Sequence, residues 1–257
     1  MRKILLFGLV LALLANFSGA ICNELRGWGI TRSKIAGEPP RWDGGFELLD
    51  YNAYYLGDIS EKVVYLTFDE GYEAGYTTVI LDVLRDKQVP AAFFVTKSYI
   101  EEHGDLIARM VNEGHIVGNH TIRHKSSPSL SDAEFRAELA GVADYFKQTF
   151  GQEMPRFFRP PMGEYSLRTL RLAQDEGYAT IFWSFAYVDW RRDKQPGADY
   201  ALKRVADNLH NGAILLLHAV SSSNAEAMAD IIDTARAAGY EFKCLEHLID
   251  NFGGGIL

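Results

Sequence analysis

Asp69 and Glu70 stand side by side at the end of an apolar, β-branched run, Val63-Val64-Tyr65-Leu66-Thr67-Phe68. Two imidazoles, His120 and His124, lie four residues apart in His120-Thr121-Ile122-Arg123-His124. If the chain turns helically there, both rings face the same way and can share one metal. Two histidines and one carboxylate leave an open position for water, the arrangement of a catalytic zinc. One of the adjacent carboxylates would complete the metal set and the other would serve as general base. Asp69 directly ends an apolar strand, so its burial calls for a partner. Arg159, in Phe157-Phe158-Arg159-Pro160-Pro161, can be that partner, and Asp189, in Val188-Asp189-Trp190, can pair with Arg159 from a neighbouring strand. An arginine beside a catalytic aspartate keeps it ionised and oriented. His218 follows Ile214-Leu215-Leu216-Leu217 and is placed to act as general acid toward a leaving amine, or as a third metal ligand. Each residue has a plainer reading too: Glu70 a solvated loop residue, Arg159 a structural ion pair, His218 a satisfied core histidine. His103, His115, His210 and His247 read as structural.

The elements that position these groups follow a rhythm. Apolar strands are predicted at 63–68, 91–95, 115–118, 157–158, 179–184, 213–217 and 241–245. Helices are predicted between them at 77–87, 106–112, 131–150, 166–176, 200–209 and 224–238. Val79, Ile80, Val83 and Leu84 show the helical spacing, and Ser131-Asp132-Ala133-Glu134 is a capping box. Seven strands alternating with helices imply an α/β fold with a parallel sheet, either open and doubly wound or closed as a barrel. The chemistry-bearing residues fall at the carboxyl ends of the strands, the face on which such folds build their sites. No Gly-rich phosphate loop follows the first strand, so a dinucleotide site is unsupported.

The 257 residues are about what one such domain needs, and 47% hydrophobic with 23% charged fits a globular core. The net charge of −8 carries no basic patch, which excludes nucleic acid as the expected partner. Arg2-Lys3, an apolar stretch from Ile4 to Phe17 and Ser18-Gly19-Ala20 read as a secretory signal cleaved after Ala20, with an uncleaved anchor as the alternative. The protein is therefore expected to be exported. Residues 21–62 hold Trp28, Trp42, Tyr51, Tyr54 and Tyr55 among Gly and Pro and are expected to wrap the main domain, 63–257. Cys22 and Cys244, the two cysteines, exclude a disulfide framework and leave open a single bridge; Cys244 otherwise reads as a small core residue in a strand.

Five segments in order resemble the motifs of the polysaccharide deacetylase (NodB-homology) family: Thr67-Phe68-Asp69-Glu70-Gly71, His120-Thr121-Ile122-Arg123-His124, Arg159-Pro160-Pro161-Met162-Gly163, Val188-Asp189-Trp190 and Leu215-Leu216-Leu217-His218. The resemblance covers about Val63 to Leu248. It implies a distorted seven-strand β/α barrel in a single domain, with Asp69 as general base and His218 as general acid. It further implies that His120, His124 and Glu70 hold a divalent metal, usually zinc, that Arg159 orients Asp69, and that Asp189 supports Arg159. Met162 would offer its backbone N–H to the oxyanion, and Trp190 and Leu217 would line the acetyl pocket. Two departures stand out: Glu70 replaces the family's metal-binding Asp, and Ala186 replaces the first Asp of the fourth motif. Together with Tyr72-Glu73, Tyr55-Leu56-Gly57-Asp58 and Arg32-Ser33-Lys34, they resemble the delta-lactam-biosynthetic subgroup. That implies peptidoglycan glycan strands as the partner, with no protein partner, and de-N-acetylation of N-acetylmuramic acid leading to muramic δ-lactam in spore cortex. The alternatives are a deacetylase of N-acetylglucosamine in peptidoglycan or chitin-like glycans, and a non-catalytic sugar-binding relative. Arg123, Lys125, Arg191 and Arg192 are the positive candidates for reading the lactyl carboxylate of muramic acid.

Overall fold

The computed structural model describes residues 22–252; the predicted signal segment lies outside them. The strands in chain order are β1 (Arg26–Gly27), β2 (Ala53–Tyr54), β3 (Val63–Glu70), β4 (Ala91–Val95), β5 (Ile116–Asn119), β6 (Phe157–Phe158), β7 (Glu164–Tyr165), β8 (Ala179–Ile181), β9 (Ala213–Leu217) and β10 (Glu241–Phe242). The helices are α1 (Thr77–Lys87), α2 (Lys97–Glu102), α3 (Gly104–Asn112), α4 (Asp132–Phe150), α5 (Leu167–Asp175), α6 (Ala198–Ala206), α7 (Ser222–Ala237) and α8 (Leu245–Asn251). The seven predicted strands are all present, and their crossovers make every pairing in the main sheet parallel. The sheet runs β10-β3-β4-β5-β6-β8-β2, with β9 also against β3. It curls until its two ends meet, but the seam is thin. Isolated bridges at Leu56–Ala213 and Phe185–Leu215 close it, giving the distorted barrel of a single α/β domain.

Strand alternation sorts the side chains. On β3, Val64, Leu66 and Phe68 join the large core between the sheet and its helices. Val63 and Tyr65 point into the barrel and pack with Phe94, Ile214 and, from α8, Leu245, Leu248 and Ile249. Nearly all of β3 is buried, as expected of a parallel strand covered on both faces. Helix α4 starts at the expected capping box: the Ser131 side chain accepts from the Glu134 N–H, and the Glu134 carboxylate accepts from the Ser131 N–H at 2.8 Å. Two expectations at the C-terminal end shift. The last strand stops at Phe242, and Cys244 is not in a strand but caps α8. Cys22 and Cys244 are free thiols.

Residues 22–62 lie over one flank of the barrel. β1 pairs with β7, and β2 adds to the sheet beside β8. Trp28 is central to this packing. Its ring stacks on Phe182 at 4.1 Å between centroids, and its indole N–H donates to the Trp183 carbonyl at 3.0 Å. The Trp28 N–H also reaches the Gly163 carbonyl at 2.8 Å. Gly163 has φ +66, and a Cβ there would meet the Trp183 ring at 2.8 Å and Trp28 at 3.0 Å. Only glycine allows the approach. Trp28→Ala removes a large packed ring and is expected to lower the unfolding free energy by about 3 kcal/mol, read from the midpoint of chemical denaturation.

Candidate active site

The carboxyl ends of β3, β5, β6 and β9 bring Asp69, His120, Arg159 and His218 to one mouth of the barrel. Arg159 is fully buried and spends its donors on three acceptors. Nη1 donates to Asp69 Oδ1 at 2.8 Å, Nε to the Ile181 carbonyl at 2.9 Å, and Nη2 to the Phe182 carbonyl at 3.3 Å. Its guanidinium lies 4.2 Å from the centroid of the Phe94 ring. Burial by itself would raise the Asp69 pKa, but Arg159, His120 and His218 together hold it below the ordinary carboxylate value. Asp69 is therefore ionised at neutral pH, as a base must be.

His120 donates from Nδ1 to the Arg159 carbonyl at 2.8 Å. A carbonyl can only accept, so this contact fixes the tautomer and leaves Nε2 with its lone pair free. Burial pushes the His120 pKa down to about 4 and lowers that of His124 as well, so both rings are neutral at physiological pH. His120 Nε2 faces Asp69 Oδ2 at 3.6 Å, and the His124 ring lies 4.8 Å from the His120 ring. Two facing acceptors, a neutral imidazole nitrogen and a carboxylate oxygen, call for a positive charge between them. The donor set fits a divalent cation held by His120 and His124 beside Asp69.

The loop carrying the two histidines is not the helical turn that their spacing suggested. Thr121 and His124 both take left-handed backbone conformations, at φ 69 and 52. Glu138, buried on α4, makes this possible. Its Oε2 accepts from the Ile122 and Arg123 N–H groups at 2.8 and 2.9 Å, and its Oε1 accepts from Arg123 Nε at 2.5 Å. Asn119 Oδ1 accepts the Thr121 N–H at 3.0 Å, and Thr121 Oγ1 accepts the His124 N–H at 3.1 Å. Glu138 was missed in the sequence, yet it left a signal: it is an acid among the buried residues Phe135, Leu139 and Val142 of an amphipathic helix.

On the opposite wall, Asp189 pairs with His218 and not, as expected, with Arg159. Asp189 Oδ1 meets His218 Nδ1 at 2.8 Å, and its Oδ2 accepts the His218 N–H at 2.9 Å and Asn224 Nδ2 at 2.6 Å. The physical reason is that Arg159 already spends Nε and Nη2 on backbone carbonyls, while β9 delivers His218 directly to the Asp189 carboxylate. Burial opposes protonation of His218, but Asp189 overrides it and holds the pKa above the ordinary value. An ionised aspartate and an imidazole biased toward its protonated form thus face one cavity of about 790 Å³. Asn224, the first residue in the predicted α7 helix, carried no separate signal.

Two expected site residues fall elsewhere because of strand parity. Glu70 follows Asp69 on β3, so its side chain leaves on the helix-facing side and does not join the histidines. It is completely buried, and neither carboxylate oxygen has a hydrogen-bond partner among the described residues. Burial, with Glu73, Asp69 and Asp189 nearby, raises its pKa well above the ordinary carboxylate value, and its side chain points away from the two imidazoles. Among the described residues, no three or more His, Cys, Asp or Glu gather as a metal cluster. Leu217 likewise packs in the helix-side core, and Leu216 lines the cavity instead. Met162 and Trp190 do line it, both substantially exposed; the Trp190 ring lies 5.5 Å from His218. Met162 has φ 57 in the turn after β6. None of Arg123, Lys125, Arg191 and Arg192 lines the cavity, whereas Arg32 and Arg204 do.

The family profile for polysaccharide deacetylase matches residues 57–181. The peptidoglycan-N-acetylmuramic acid deacetylase PdaA of Bacillus subtilis is 41% identical over 234 residues, 90% of this chain and 88% of that protein. The chain belongs to the polysaccharide deacetylase family. The solved structure of Bacillus subtilis PdaA, a family 4 carbohydrate esterase, superposes with a TM-score of 0.86 at 40% identity, over 90% of this chain and 100% of that one. A family 4 carbohydrate esterase from Bacillus anthracis gives a TM-score of 0.75 at 41% identity, over 90% of this chain and 99% of the other. Deacetylases of this family are generally metal-dependent. In this family member the clamp on the histidine loop is expected to set metal affinity. Glu138→Ala is expected to weaken binding of a divalent cation by about 10- to 100-fold, read by titration calorimetry, with the helical circular-dichroism signal retained.

Proposed function

We propose that this deacetylase hydrolyses the N-acetyl group of N-acetylmuramic acid in peptidoglycan glycan strands. The observation that carries the reading is the opposition of Asp69 and His218 across one cavity, the first paired with Arg159 and the second with Asp189. The muramic acid preference rests on the likeness to a protein named for that activity. When bound, a divalent cation, for which zinc is the proposal because imidazole suits it, supplies Lewis-acid polarisation of the acetyl carbonyl. His120 and His124 are the residues that would hold it. Asp69 takes a proton from the attacking water as the water oxygen bonds to the acetyl carbon. The backbone N–H of Met162 is the proposed donor to the oxyanion. His218 then gives its proton to the departing nitrogen, the C–N bond breaks, and acetate and a free amine result. Trp190 and Leu216 wall the space for the acetyl methyl. The freed amine sits on the same sugar as the lactyl carboxyl, the two groups that a muramic δ-lactam joins with loss of water; spore cortex is the proposed setting. We also propose export across the cytoplasmic membrane, on the pattern of Arg2-Lys3, the apolar stretch and Ser18-Gly19-Ala20, since the substrate is a wall polymer.

The test is acetate release from peptide-free peptidoglycan strands against chitin oligomers. Release from chitin oligomers alone overturns the muramic acid reading. Asp69→Asn is expected to lower kcat by about 10²- to 10⁴-fold while the thermal melt stays cooperative; turnover near that of the parent enzyme removes Asp69 from the role of base. The acid makes a separate prediction. Activity needs protonated His218, so it is lost as pH rises through a pKa above 6.5. Asp189→Asn removes the anion that retains this proton, so the alkaline limb of the kcat/KM profile moves to lower pH. A limb that stays in place, or moves up, excludes the Asp189–His218 pair from the acid role.

A further inference from the structure

Arg32 comes from the segment that wraps the barrel, far in sequence from every catalytic residue. The antiparallel bridge between Thr31 and Arg41 shapes the turn that carries it. Its Nη2 donates to the Ala186 carbonyl at 2.8 Å, and its guanidinium lies over the Phe185 ring at 5.6 Å. Arg204 comes from α6. Its Nε is buried and has no hydrogen-bond partner. Both residues line the cavity that Asp69 and His218 face. Among the described residues, neither takes part in an ion pair; Arg41, Arg156, Arg171, Arg192 and Arg236 share that state, but of these seven only Arg32 and Arg204 line the cavity.

Two like charges lining one cavity, neither of them paired with a carboxylate, favour the arrival of an anion. Partial burial, and then the proximity of Arg204, lower the Arg32 pKa, so the two guanidinium groups sense each other. Position 186 adds to the imbalance. The residue whose carbonyl Arg32 contacts is an alanine, so no side-chain acid is offered there. Planar guanidinium groups with free N–H donors match a carboxylate. The cavity otherwise offers aromatic surface, Trp183, Tyr187 and Trp190, of the kind that packs against sugar rings.

We propose that Arg32 and Arg204 form a carboxylate-reading subsite that selects sugars bearing a free lactyl carboxylate over neutral N-acetylhexosamines. The inference rests on the deacetylase reading of the same cavity. It makes the pair determinants of substrate choice and leaves bond breaking to Asp69 and His218. It also predicts a preference for strands stripped of stem peptide, because a peptide bond at the lactyl carbonyl removes the negative charge.

The test uses the full chain and three substrates: peptide-free glycan strands, the same strands with the lactyl carboxyl converted to its methyl ester, and chitin oligomers. With the unaltered protein, esterification is expected to raise KM roughly 10- to 100-fold with little change in kcat, in line with losing charged hydrogen bonds. The Arg32→Gln/Arg204→Gln double variant is expected to show that raised KM on the free acid and to treat acid and ester alike. Its rate on the ester should match that of the unaltered protein, which establishes that the variant is folded. Where the double variant fails to fold, Arg32→Gln alone carries the test, since this side chain is exposed and outside the core. A double or single variant that keeps the original KM for the free acid overturns the subsite while leaving the deacetylase reading intact. Loss of activity toward glycan strands in the unaltered protein, with chitin oligomers cleaved, overturns the deacetylase reading of muramic acid itself.

Discussion

The buried guanidinium of Arg159 is the contact on which the site depends. A charge taken wholly out of water is costly unless it is paired and hydrogen-bonded. Here Asp69 supplies the counter-charge, and the main-chain carbonyls of Ile181, which ends β8, and of Phe182 take the remaining donors. The same residue offers its own carbonyl to His120, so one position favours the ionised form of Asp69 and fixes the tautomer of a histidine. The neighbouring strands β3, β5, β6 and β8 are thereby tied together at their carboxyl ends, where the sheet has few hydrogen bonds of its own. β5 and β6, for instance, share a single residue pairing.

Strand parity separates two carboxylates that the sequence sets side by side. Adjacent acids on one face would repel and raise each other's pKa. On β3, Asp69 shares the inner face with Tyr65 and Thr67, while Glu70 shares the outer face with Phe68. Glu70 is then buried with neither carboxylate oxygen hydrogen-bonded among the described residues, and burial raises its pKa. A raised pKa favours the protonated form of Glu70 and so less negative potential beside Asp69, while Arg159 favours the ionised form of Asp69. Glu73, three residues on, is handled differently. It accepts the Ala74, Gly75 and Tyr76 N–H groups at 2.9, 2.5 and 3.0 Å at the start of α1 and stays charged.

Much of this was legible from residue order. The alternation of buried runs and amphipathic stretches specified the parallel strands, and the placement of Asp69, His120, Arg159 and His218 at strand ends located the mouth of the barrel. Barrel closure came from the resemblance and not from strand patterning, because it depends on two isolated bridges rather than on a strand with its own pattern. The face on which Glu70 and Leu217 lie was misread because their neighbours, Asp69 and Leu216, have the same chemical character, and a shift of one residue reverses the side of a strand. The partner of Asp189 was misread because a carboxylate accepts equally from arginine and imidazole; only the path of β9 decides between them. Glu138 and the place of Arg32 in the cavity wall were invisible, since each reaches across more than a dozen residues of intervening chain, and no spacing rule connects them to the motifs they contact.

The two left-handed residues in the histidine loop have an entropic consequence. A threonine at positive φ is disfavoured by its branched side chain, and each such residue costs on the order of 1–3 kcal/mol. The loop keeps that shape through contacts to Glu138 and Asn119 that exist whether or not anything sits between the rings. The conformational freedom that two imidazoles would otherwise surrender on capture of an ion has thus been given up during folding. Capture then requires little rearrangement of the chain, and a grip of few ligands gains affinity from rigidity where it lacks it in number.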